Sequence, residues 1–130
     1  MLIAHRSSFI AMTCVFCTDV NAAGTVMAED EVTWTIVHPQ GQLMIVARRH
    51  VENVSDLDED EWLHVARVWH RAERDLREQT GAERVIVMKL GIQTPHLHVH
   101  LYPFSKDDTR AQIFDVIDGR ATLRLTLAPH

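Results

Sequence analysis

Thr94-Pro95-His96-Leu97-His98-Val99-His100-Leu101-Tyr102-Pro103 sets three histidines in strict alternation with three aliphatic residues. On an extended strand successive side chains point to opposite faces. His96, His98 and His100 then share one face, and Leu97, Val99 and Leu101 the other. The aliphatic face packs on a core while the imidazoles line a cleft. Neighbouring histidines stand roughly 6.6 Å apart at the backbone, twice the rise per strand residue. At that spacing one ring can attack a phosphorus while the next donates a hydrogen bond to the same phosphate. One ring can also turn aside to bind a metal. The competing reading is a half-exposed strand whose histidines merely face water. Three ionisable residues placed opposite a core face favour the cleft.

Working outward, Arg84 to Leu90 is an almost unbroken apolar run, the profile of a central strand. It turns through Gly91-Ile92-Gln93 into the histidine strand. Further upstream, Trp62, Val65, Ala66, Trp69, Ala72 and Leu76 recur at helical spacing. Asp58 and Glu61 form a capping-box pair at the start of that helix, and Gly81 stops it. Its outer face alternates charge signs and reads as solvated. His64 and His70 on this helix are assigned no chemistry. Thr25 to Ala28 and Val32 to Val37 read as a hairpin across Glu29-Asp30-Glu31, and Leu43 to Arg48 as the next strand, after a break at His38-Pro39-Gln40-Gly41. Downstream, Ala111 to Ile117 reads as a short helix and Ala121 to Leu127 as a final alternating strand. Hairpins, then a helix, then more strands predict an α+β fold with a mostly antiparallel sheet, one long helix and a short second one.

At 130 residues the chain is long enough for one well-buried core. Hydrophobic residues at 46% and charged residues at 24% are ordinary globular values. No apolar run approaches the roughly 18 to 20 residues that cross a bilayer. The first eleven residues are too short and broken for a signal peptide, and they are read as a flexible tail before a single domain over 12–130. Cytoplasmic is the default location. The net charge of −5 argues against a polynucleotide partner, which needs a basic footprint, and leaves a mononucleotide or dinucleotide open. Cys14 and Cys17, spaced Cys-x-x-Cys, offer a disulfide, a redox pair or half of a metal site. A reducing compartment disfavours the first and the missing βαβ context the second, so zinc ligation is favoured over two unligated thiols.

His96 to Tyr102 resembles the signature of the histidine-triad (HIT) superfamily, His-φ-His-φ-His-φ-φ with φ apolar. The resemblance runs over most of Cys14 to Asp108. It takes in Cys14-Val15-Phe16-Cys17, Ala28-Glu29-Asp30-Glu31-Val32, and Arg48-Arg49-His50-Val51-Glu52-Asn53 followed by Asp56-Leu57. It implies a HIT-like fold and a homodimer, for which Trp62, Trp69 and the strand Arg84 to Leu90 are candidate interface elements. It also implies a nucleotide phosphohydrolase or nucleotidyl transferase acting at the α-phosphate of a dinucleoside polyphosphate or nucleotide conjugate. By motif position His98 is the nucleophile, forming a nucleotidyl-histidine, with its other ring nitrogen held by a strand carbonyl. His100 donates to the phosphate or assists the leaving group, and Gln93 and Thr94 add contacts. In relatives with Cys-x-x-Cys a structural zinc is held by residues matching Cys14, Cys17, His50 and His96.

The chain departs from many relatives at Gln42, where they carry a histidine that helps to orient the nucleophile. The acidic residue that holds ribose in many relatives falls near Ile36 or Val37 and looks absent. The loop before the triad is short. Leu90-Gly91 and Lys106-Asp107-Asp108 match a bacterial short-loop subset, with Ile92 where that subset has Asn. Two rivals follow: a nucleotide-binding protein with little turnover, and a zinc-stabilised structural or interaction domain.

Overall fold

The computed structural model describes residues 14–127; the tail read at the N-terminus lies outside them. Five antiparallel strands form one sheet in the order β1-β2-β3-β5-β4. They are β1 (Thr25–Glu29), β2 (Thr33–Val37), β3 (Leu43–Ala47), β4 (Arg84–Met88) and β5 (His98–Phe104). The helices are α1 (Val15–Thr18), α2 (Glu59–Thr80) and α3 (Arg110–Ile117), of which only α1 was not expected. The α+β architecture, with a mostly antiparallel sheet and one long helix, is therefore as the sequence predicts. No helix among the described residues is long and apolar enough to cross a membrane.

Helix α2 begins where its sequence says it should. Asp58 accepts from the Glu61 amide at 2.8 Å while Glu61 reaches back to the Asp58 amide at 3.0 Å. It ends at Gly81, whose φ of +74° is a left-handed cap that favours glycine. Val65, Val68, Ala72 and Leu76 of α2 pack on Leu43, Ile45, Ala47, Val99 and Leu101 of β3 and β5. These are the odd-numbered positions of both strands, so the alternation does place the aliphatic residues against a helix. Trp62 and Trp69 are half-buried against the same core. The even-numbered positions face the other way. There Met44 and Val46 join Ile36, Cys14 and Phe16 in one cluster, and Tyr102 and Phe104 join Ile113 and Leu123 in another. His98 and His100 lie on β5 between these two clusters.

Three expectations are corrected. The strand Arg84 to Leu90 ends at Met88 and is an edge, not the centre, of the sheet. The central position belongs to β3, and β5 lies between it and β4; the β5 ladder with β3 runs no further than Leu101, so Pro103 is tolerated beyond the doubly paired part. Second, His96 precedes β5 and does not share its regular alternation. Third, Ala121 to Leu127 is irregular. Its leucines serve opposite sides of the sheet: Leu123 is buried in the Tyr102 cluster and Leu127 packs on the α2 side. A segment that crosses the sheet end in this way cannot pair along an edge. Gly41 marks the crossing; at φ +106° a Cβ there would stand 2.9 Å from Thr126 Cγ2.

Candidate metal centre and histidine cleft

Cys14 caps the single turn of α1, accepting at its carbonyl from the Cys17 and Thr18 amides at 3.1 and 3.0 Å. That turn brings the two thiols to one side and drives Phe16 inward, where its ring lies 5.3 Å from His96 and 5.0 Å from His98. His50 arrives from the loop after β3. Its Nδ1 is 3.1 Å from Cys17 Sγ and 2.9 Å from His96 Nδ1. His96 Nδ1 is in turn 3.4 Å from Cys14 Sγ and 3.5 Å from Cys17 Sγ. All four donor atoms lie within 4.8 Å of one another. A tetrahedron with zinc bonds of about 2.1 to 2.3 Å has edges of roughly 3.4 to 3.8 Å, close to these separations.

The donor chemistry fits zinc. His96, 1% exposed, donates from Nε2 to the Ala47 carbonyl. Its Nδ1 must then be the bare lone pair, aimed at the cysteines, as in a metal-ligating histidine whose other ring nitrogen is held by a backbone carbonyl. Partial desolvation, then the neighbouring Cys14, push the Cys17 thiol up to about 11. Two thiols held side by side resist ionisation unless a cation joins them. Two cysteines and two histidines complete a closed tetrahedral set, hence a structural site.

The cleft begins one residue beyond. His98 Nδ1–H donates to the His96 carbonyl at 2.6 Å, which leaves Nε2 with the lone pair. Its ring is 5.1 Å from that of His100, which stacks on Tyr102 at 5.8 Å. Gln42, Gln93 and Thr94 line the same cleft of about 550 Å³, within the usual range for small ligands. His96 does not line it, its ring being committed to the metal side. Gln42 is 1% exposed and its Oε1 has no partner; nor has His100 Nδ1.

The cleft also holds His38, which the sequence presents as part of a strand break. The turn from His38 to Gly41, closed by His38 N–H to the Gln42 carbonyl at 2.8 Å, swings its ring to 6.1 Å from His100. Its Nδ1 accepts from the Gln40 amide at 3.0 Å, so the proton sits on Nε2. The available signal is the β2–β3 hairpin register, which puts residue 38 just past the end of β2 and opposite Gln42, beside the histidine face of β5. His64, given no chemistry, contacts Asp30 at 2.9 Å and ties α2 to the β1–β2 turn.

Burial, then the neighbouring His98 and His38, hold the His100 imidazole down at about 4, against 6.5 ordinarily. The native state therefore excludes a proton that the unfolded chain binds below about 6.5, so stability falls as pH drops from there towards 4. The full effect is about 3 kcal/mol. Urea midpoints at pH 7.5 and 4.5 are expected to differ by clearly less in His100→Asn than in the parent.

A small antiparallel sheet backed by one helix, with a histidine-lined cleft beside a Cys₂His₂ centre, is the HIT architecture. The HIT domain profile matches residues 15–107, and the chain belongs to that family. Solved structures share the fold. A hypothetical histidine triad nucleotide-binding protein from Sulfolobus tokodaii is 21% identical, with a TM-score of 0.63, over 90% of this chain and 81% of that one. A zinc-bound histidine triad family protein from Mycobacterium smegmatis is 22% identical, TM-score 0.62, over 76% and 80%. A HIT family hydrolase from Clostridium thermocellum is 22% identical, TM-score 0.56, over 75% and 96%. Among curated proteins no sequence matches.

Proposed function

We propose that the chain is a nucleotide phosphohydrolase or nucleotidyl transferase that works at an α-phosphate through His98. The observation that carries this reading is the His98 ring, pinned at Nδ1 by the His96 carbonyl and bare at Nε2 inside the cleft. A neutral imidazole in one fixed tautomer is a competent nucleophile near neutral pH. Burial helps to keep it neutral, and Lys89 adds to the effect. Nε2 forms the N–P bond as the bond to the leaving group breaks. The departing atom keeps the electron pair and takes a proton from water. Water then splits the N–P bond, returning the pair to Nε2 and releasing a proton with the nucleotide. His100 is the donor to the phosphate oxygens, and Gln42, Gln93 and Thr94 hold the ends of the substrate. The hydrolase and nucleotide-binding relatives point the same way. When bound, zinc supplies rigidity: Cys14, Cys17, His50 and His96 hold it and thereby fix the carbonyl that orients His98. Quenching with denaturant at alkaline pH within one turnover of a radiolabelled nucleotide substrate, where an N–P bond to imidazole survives, is expected to leave label on the peptide containing His98. Label elsewhere, or none at any time point with turnover proceeding, removes the covalent route.

The working unit proposed is a homodimer with no polynucleotide or membrane partner. Edge strand β4 leaves Val85, Ile86, Val87 and Met88 only half-buried, an apolar edge that invites pairing with another strand. A second copy covers it symmetrically. Sedimentation at micromolar concentration is expected to show twice 14.9 kDa; a single 14.9 kDa species overturns the assembly.

A further inference from the structure

Cys14 and Cys17 are the chain's only cysteines, and they meet solvent unequally. Cys17 is exposed, whereas Cys14 is 4% exposed. They stand three positions apart across the single turn of α1, with their sulfurs within 4.8 Å of each other. Rotation about the side-chain bonds is what separates that pair from the roughly 2.05 Å of a disulfide. A thiol open to oxidants needs thiolate character, access and a second cysteine to resolve the first product. Ligation to a dication supplies the first, the surface position of Cys17 the second, and Cys14 the third. Among the described residues, α1 makes polar contact with the rest of the chain only where Cys14 and Cys17 meet His50 and His96. Its other attachment is apolar, through Phe16.

We propose that the Cys14–Cys17 pair is a site of reversible oxidation by hydroperoxides, at which disulfide formation discharges the metal. Cys17 Sγ, the sulfur that solvent reaches, takes the terminal oxygen of the peroxide as the O–O bond breaks. The other oxygen keeps the electron pair, gains a proton from water and leaves as an alcohol or as water. Cys17 is then a sulfenic acid. Cys14 Sγ attacks that sulfur, the S–S bond forms, the S–O bond breaks, and the departing hydroxide takes up a second proton. The two thiolates lose two electrons and the peroxide gains them. A disulfide has no negative sulfur to offer a dication, and His50 and His96 alone are half of a tetrahedral set. Oxidation therefore removes the polar tie between α1 and the sheet, and reduction with zinc present remakes it.

The test treats zinc-loaded protein, freed of reductant, with hydrogen peroxide. Released zinc is followed with a zinc-sensitive dye, and the peptide holding both cysteines is weighed under non-reducing conditions. One zinc is expected to leave for each such peptide that loses two hydrogens. Alkylatable thiol is expected to fall by at least about tenfold in step with it. The denaturant midpoint should drop to that of chelator-treated protein, and dithiothreitol with added zinc should restore all three readings. Cys17→His keeps four ligands without a thiol pair, so it is expected to hold its zinc through the same treatment. Zinc retained while Cys17 gathers further oxygen overturns the inference. So does zinc released with both thiols still alkylatable, or a disulfide that joins two chains instead of Cys14 to Cys17.

Discussion

His98→Asn is expected to abolish turnover, lowering kcat by at least about 10⁴-fold, while the Kd for a nucleoside monophosphate changes by less than about threefold. The asymmetry follows from what the imidazole does. Its Nε2 lone pair is the proposed nucleophile, and an amide has no comparable pair to offer phosphorus. In binding, the ring is one neutral polar group among several, and Asn keeps some hydrogen bonding at the same place. Asn also retains an N–H that can meet the His96 carbonyl now bonded to Nδ1. His100→Asn removes a donor and leaves the covalent route, so its loss is expected to be smaller. Single-turnover rates with equilibrium binding on both variants check the ordering. Parental turnover by His98→Asn would put the low-turnover binding protein ahead of the enzyme.

Removing the metal is the second large perturbation. Cys14→Ser deletes one of four ligands from a buried position, and the variant is expected to purify with far less than one zinc per chain. If zinc is available at about a thousandfold over its dissociation constant, losing it costs about 4 kcal/mol of stability. The denaturant midpoint should fall accordingly, and chelator should lower the parent to the same level without affecting the variant. The chemical step, measured where both proteins are folded, is expected to change less than stability does. The ligands lie outside the cleft and act on it only through the His96 carbonyl. Parent protein purified without chelator and lacking stoichiometric zinc would remove the claim.

Much of this arrangement is legible in the chain because local chemistry and tertiary structure agree. Asp58 and Glu61 cap a helix by rules that involve only neighbours, and Leu97, Val99 and Leu101 reach a core by strand periodicity. Cys14, Cys17, His50 and His96 were grouped by resemblance and meet in space. Where the reading failed, the deciding contact lay far along the chain. Arg84 to Leu90 has central-strand composition, but strand order depends on where β5 inserts, which no local pattern records. Ala121 to Leu127 alternates like a strand, yet its leucines serve clusters on opposite sides of the sheet. His38 looked like turn punctuation because its partner, His100, is 62 positions away. His96 is expected on the strand with His98 and His100, but it precedes β5, and its ring meets Cys14, Cys17 and His50 instead of lining the cleft.

His96 also sets a clock. Its side chain meets Cys14 across 82 positions, and the length-dependent part of closing such a loop is about 4 kcal/mol. Contacts at that separation form late, after the hairpin of β1 and β2 and the local turns of α2 have gained what they can from their neighbours. The carbonyl that orients His98 belongs to the residue that makes this late contact, and β5 must already lie between β3 and β4 for it to hold. A chain still being synthesised, or one that has lost β5 to partial unfolding, therefore carries the triad residues without their geometry. The proposed nucleophile is thus held in place only after the final long-range closure, and incomplete forms of the protein lack it.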